Sequence, residues 1–124
     1  MKKIIIESGD VVLQATLNDS NTANLILQAL PIEGSVNLWG DEIYFSIPVM
    51  ADMESDARED MEVGELGYWP TGNAFCIFYG LTPASTGENP RAASAVNVLG
   101  RLTGDFAGVR EIPAGATIAI KRAE

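Results

Sequence analysis

The sequence predicts a mainly β fold: a closed barrel of about eight strands, with one early α-helix and a short late helical turn. Three observations carry that expectation. Twelve glycines and six prolines divide 124 residues into short segments, as frequent tight turns require. Most of these segments are rich in β-branched and aromatic residues. A single stretch has its apolar residues at helical spacing. Closing so many short strands into a barrel hides edges that would otherwise recruit other chains. At this length, residues 1–124 are expected to form one domain.

Residues 3–7 and 11–17 read as a hairpin around Ser8-Gly9-Asp10. Asn18-Asp19-Ser20 offers good helix caps. Ala23, Ile26, Leu27 and Leu30 then fall at i, i+3, i+4 and i+7, one buried stripe over residues 22–30 that Pro31 ends. Residues 35–38 suggest a short strand, and residues 42–47, stopped by Pro48, a firmer one. Residues 51–62 have too many acids and too little apolar periodicity for core, and read as a solvated loop or one short surface helix. Residues 63–69 and 74–79 form a hairpin around Pro70-Thr71-Gly72-Asn73. Two prolines with Ser85, Gly87 and Asn89 make residues 81–93 an ordered loop. Residues 95–103 read as a strand, and Asp105 caps a helical turn through Arg110. Pro113-Ala114-Gly115 turns the chain into a closing strand over residues 117–122.

Seventeen acidic residues against eight basic ones give a net charge of -9. Nine of the acids, with one arginine, lie in residues 41–65. Phosphate backbones and anionic membranes are bound through Lys and Arg, so neither nucleic acid nor membrane is an expected partner. Only three consecutive apolar residues precede Glu7, too few for a secretory segment, and no run approaches the roughly 20 that span a bilayer. The expected location is the cytoplasm. Cys76, the one cysteine, sits in an apolar strand, and without any histidine the chain lacks the usual base for a nucleophilic thiol. The hydroxyls of Thr82, Ser85 and Thr86 lack a base as well. Asp52, Glu54 and Asp56 alternate like the first ligands of a calcium loop, but Ala57 and Val63 stand where that loop takes glycine and glutamate. No metal, no cofactor and no Walker or Rossmann glycine spacing is expected.

Residues 42–48 (EIYFSIP), 64–85 (GELGYWPTGNAFCIFYGLTPAS) and 96–102 (VNVLGRL) resemble the hallmark stretches of a small bacterial and archaeal cyclophilin-like family of unassigned function. Together they span most of the middle of the chain. A fainter likeness to true cyclophilins runs nearly end to end. Residues 22–25 resemble the TAENF helix start, residues 71–77 the NGSQFFI strand, and residues 97–101 with 105–112 the VVFGKV strand and the helix after it. The resemblance implies a cyclophilin-like barrel. Active cyclophilins hold a prolyl peptide in an apolar pocket and polarise its imide nitrogen with an arginine, which lowers a rotational barrier of about 20 kcal/mol. Aligned on Pro48, that arginine's position is Phe45 here. The phenylalanine of the pocket floor falls at or beside Cys76, with Phe75 and Phe78 near enough to substitute, and the pocket tryptophan and histidine have no counterpart. The resemblance thus implies a binding barrel without the usual isomerase arginine. Its enzyme alternatives are weak or divergent prolyl isomerisation, and amide-type hydrolysis with Glu42 as a base of raised pKa. A structural or oligomeric adaptor is a third reading, and no catalytic residue is assigned.

Tyr68, Trp69, Phe75, Phe78 and Tyr79 are five of the nine aromatics, so their hairpin is the expected binding surface. The expected groove is bounded by residues 42–47, 68–78 and 82–91. Tyr44, Phe45, Trp69, Phe75 and Phe78 would line it, Glu42 and Arg101 would anchor polar groups, and Thr82 would border it. Glu42, Tyr44 and Ser46 share one strand face, either the wet side of the sheet or a row of pocket groups. Arg101 either turns outward to an acid or clamps a carboxylate or peptide carbonyl at the rim. Arg91 is either solvated or a lid residue. Trp69 either packs its turn or offers a ligand platform. The expected ligand is a small molecule or a short prolyl peptide, bound by a monomer or small homo-oligomer.

Overall fold

The computed structural model describes residues 2–123. Their strands are β1 (Lys2–Ser8), β2 (Val11–Leu17), β3 (Ile32–Ser35), β4 (Asn37–Leu38), β5 (Glu42–Ser46), β6 (Arg58–Asp60), β7 (Glu65–Trp69), β8 (Ala74–Phe78), β9 (Arg91–Thr103) and β10 (Thr117–Arg122). Nine run in the order β3-β10-β1-β2-β9-β7-β8-β5-β4, and β6 pairs with β9 off this path. The expected early helix is α1 (Asn21–Ala29). Ser20 Oγ accepts from the Ala23 N–H at 3.2 Å, which satisfies a donor the first helical turn leaves free. Ala23 and Ile26 bury the predicted stripe. The late helical turn is a 3-10 turn over Ala107–Glu111, and Asp105 Oδ1 accepts from the Ala107 N–H at 3.0 Å.

Strand alternation divides the apolar residues into two clusters. The larger gathers Ile4, Ile6, Leu13, Ile43, Phe45, Leu66, Tyr68, Phe75, Ile77, Ile118 and Ile120 around Ile26 of α1. Phe45 and Phe75 face each other across β5 and β8, with ring centroids 5.4 Å apart. The Tyr68 hydroxyl, fully buried, donates to the Val49 carbonyl at 2.8 Å and accepts from the Ala51 N–H at 3.3 Å. A smaller cluster of Met61, Cys76, Phe78, Ala92 and Val96 lies on the opposite face of β8. Being buried on both faces explains why β8 reads AFCIF, with no polar alternation.

Three expectations are corrected. The sheet is not closed by hydrogen bonds: β3 and β4 are its edges, and among the described residues no ladder joins β3 to β5. Val36, the one residue between the two edges, gives its N–H to the Ala116 carbonyl and its C=O to the Gly115 N–H, so the chain leaves the ladder there. The seam is packed instead, with Gly34 so near the Phe45 ring that a Cβ would stand 2.7 Å from Cδ2. The acidic segment, read as a loop or surface helix, contains strand β6, which pairs with β9. Finally, β9 begins at Arg91, inside the predicted loop and four residues before the predicted strand start at 95, because pairing with β6 and β7 extends it to thirteen residues.

The remainder of the acidic segment is fastened by side chains. Glu54 accepts from the N–H and hydroxyl of Thr22 in the first turn of α1, where a carboxylate also suits the helix dipole. Asn97, fully buried on β9, donates to Thr22 Oγ1 and the Asp52 carbonyl and accepts from the Glu54 N–H at 2.8 Å. Among the described residues no helix is long and apolar enough to cross a membrane.

Candidate functional site

Above the smaller cluster the sheet carries a recess of about 160 Å³, lined by Trp39, Glu42, Tyr44, Trp69, Ala92, Ala93 and Val96. The local sequence sets each wall. Gly40 and Asp41 form a two-residue turn between β4 and β5, with Gly40 at φ +59, the left-handed conformation glycine adopts without strain. Trp39 and Glu42 then exchange backbone hydrogen bonds of 2.9 and 3.2 Å, which places them side by side. Strand alternation brings Tyr44 to the same face as Glu42. Tyr44 and Trp69 meet edge to face, with centroids 6.4 Å apart and planes at 77°. The Trp69 Nε1–H donates to Ser94 Oγ at 2.6 Å, which fixes that ring against β9. Gly67 lets Val96 form the floor, since a Cβ at Gly67 would stand 2.8 Å from Val96 Cγ2.

Glu42 is the polar centre of the recess. Its side chain is buried and, among the described residues, joins no ion pair. Burial pushes its carboxyl up to about 7, a rise that the neighbouring Cys76 thiol opposes although its hydrogen bond at 3.8 Å goes to the Ala74 carbonyl. Burial and then the adjacent Glu42 push the Cys76 thiol well above its ordinary value, so it is an inert neighbour and not a nucleophile. A carboxyl poised near neutrality in an aromatic recess has two chemical uses. It can accept a charged hydrogen-bond donor, or it can exchange a proton with a bound molecule.

The structure brings Glu42, Tyr44 and Trp69 together as the sequence suggests, and places the other expected residues elsewhere. Phe45 and Phe75 belong to the larger core, because the two-residue period that gives Glu42 and Tyr44 one face gives Phe45 the other. Phe78 lies beneath the recess in the smaller cluster, across from Glu42 in the β5–β8 register. Thr82 fastens its own loop, with its hydroxyl donating to the Arg91 carbonyl and accepting from the Ala84 N–H. Arg101 takes its outward alternative: it pairs with Glu62 at 2.8 Å and approaches Glu65 at 3.9 Å. Arg91 pairs with Glu59 at 2.6 Å. The sequence reading missed Trp39, Ala92, Ala93 and Val96. For Trp39 the available signal is the Gly40-Asp41 turn, which sets it opposite Glu42.

A family model described as Cyclophilin-like matches residues 2–121. The solution structure of hypothetical protein AF2241 from Archaeoglobus fulgidus superposes with a TM-score of 0.85 at 34% identity, covering 98% of this chain and 95% of that one. The structure of McbB in complex with tryptophan superposes with a TM-score of 0.68 at 17% identity. That alignment covers 97% of this chain and 44% of the other, so it shows a shared fold within a longer protein. No curated protein matches the chain.

Proposed function

The chain belongs to the cyclophilin-like family, and from that premise we propose that it is a small-ligand binding domain whose site is the recess at Glu42. One observation carries the reading: a buried carboxylate without a cationic partner opens into a space walled by Trp39, Tyr44 and Trp69. Buried carboxylates are ordinarily paired, so a fold that leaves one unpaired in a concave aromatic site points to an external partner. The size sets the scale of that partner. A cavity of about 150 Å³ is known to hold benzene, so this one takes a single ring or small headgroup and leaves the rest of a larger ligand outside. A short prolyl peptide meets that limit if only the proline ring enters. The usual isomerase arginine is absent from the walls, and its aligned position, Phe45, is sealed in the core.

A dye-monitored thermal-shift screen of small metabolites and prolyl peptides tests the proposal, with tryptophan included because a distant neighbour binds it. A ligand at 100 times its Kd should stabilise the native state by about 2.7 kcal/mol. Trp69→Ala should abolish the shift. A screen without a hit, or hits indifferent to Trp69→Ala, would remove the recess as the site.

The Glu42 carboxyl near 7 favours a second reading, in which the bound molecule exchanges a proton with it. A protease-coupled isomerisation assay and an amide-hydrolysis assay on an Ala-Pro peptide test this. Turnover lost in Glu42→Gln would support it, and an undetectable rate in the wild type would dismiss it for that substrate class.

A further inference from the structure

We propose that the recess selects an organic monocation, an ammonium group carried on or beside a body no larger than one ring. This rests on the recess being the ligand site, and the charge of its surroundings is what deepens that reading. Its one ionisable wall residue besides the weakly acidic Tyr44 is Glu42, and no basic side chain lines it. Each of the five arginines is engaged elsewhere. Arg58 holds Glu65, Arg91 holds Glu59, Arg101 holds Glu62, Arg110 holds Asp41, and Arg122 donates to the Leu27 carbonyl. A ligand carboxylate or phosphate would therefore meet a like charge with no counter-anchor. A neutral ligand would leave a dry carboxylate without a charged donor. An ammonium supplies that donor.

The aromatic walls suit the same group. Ammonium ions are attracted to ring faces within about 6 Å, most strongly to tryptophan, and Trp39, Tyr44 and Trp69 surround this space. Trp69 has already committed its one N–H to Ser94, so what it offers a ligand is its π surface. Tyr44 and Trp69 stand nearly perpendicular, which makes a corner and not a flat slot. A net charge of -9 adds a field that draws cations to the surface before any contact forms.

Isothermal titration at pH 8 with benzylamine, benzyl alcohol and benzoate separates charge from shape, because the three bodies are nearly the same size. Benzylamine should bind at least tenfold more tightly than benzyl alcohol, and benzoate should not bind. Glu42→Gln should collapse the ratio between benzylamine and benzyl alcohol, while Arg101→Met should leave it intact. Tetramethylammonium should compete with benzylamine, since ring faces attract cations that have no N–H. Benzyl alcohol or benzoate binding as tightly as benzylamine would overturn the cation assignment and leave the recess a binding site. If a folded protein bound none of these probes, the recess itself would fail as the site.

Discussion

Glu42 and Glu65 flank Phe78 on neighbouring strands, each 6% exposed, and their surroundings drive their charge in opposite directions. Burial pushes both carboxyls up. At Glu65 that push is overcome: Arg58 grips both oxygens at 3.0 and 2.7 Å, the Glu62 N–H donates at 2.8 Å, and Arg101 stands 3.9 Å away. The net result is a carboxyl below its ordinary range. At Glu42 only the Cys76 thiol opposes burial, and the carboxyl rises to about 7. Residue type and exposed surface are the same, but Glu42 is the more deeply enclosed and has no cation beside it, and both differences set the role. Glu65 is a fastening between β6 and β7, whereas Glu42 is left for something outside the chain.

The largest expected effect tests the fastening. Arg58→Met strands the Glu65 carboxylate and should destabilise the protein by about 2–3 kcal/mol in urea unfolding at pH 7, at the lower end of buried-pair losses because Arg58 is half-exposed. A loss under about 0.5 kcal/mol would erase the contrast between the two glutamates.

The next test uses pH, with opposite signs at the two sites. Glu42 is raised from 4.5 to about 7 on folding, so its contribution is full below 4.5 and is lost as pH rises through 7. Glu65 is lowered, so its contribution is present above 4.5 and is lost as pH falls. Glu42→Gln should accordingly match the wild type at pH 4 and exceed it by about 2–3 kcal/mol at pH 8.5. A constant difference across that range would mean Glu42 is not held near neutrality. Gly67→Ala should destabilise by about 1 kcal/mol through overpacking against Val96, and should weaken ligand binding by much more than that loss suggests. Calorimetry on the variant would show unchanged affinity if the Val96 floor were irrelevant. The smallest effect belongs to Arg101→Met, which removes an exposed pair and should change stability by under about 0.5 kcal/mol. A larger loss would mean Arg101 shares the work of Arg58 on Glu65.

Local chemistry made much of this architecture legible. Ser20 capped the helix, the stripe from Ala23 to Ile26 set its face, and the first and the central hairpin declared themselves through Gly9 and the 70–73 turn. What stayed hidden depends on long-range pairing. Strand β6 has an exposed, charged sequence, and it is a strand because β9 and the Arg58–Glu65 grip recruit it. The open seam could not be read either, since it turns on where the Val36 backbone groups go. Three of the seven residues lining the candidate site were legible. Glu42, Tyr44 and Trp69 followed from residue type and alternation, and the same alternation should have moved Phe45 to the core. Ala92, Ala93 and Val96 carry no chemical signature, and they enter the site only through the register of β9.

Both tryptophans of the chain, Trp39 and Trp69, border the one recess. The protein's whole indole fluorescence therefore originates at a single place, with no silent background from elsewhere in the molecule. An occupant that touches both rings changes the entire emission signal, so the chain carries its own unlabelled reporter of occupancy.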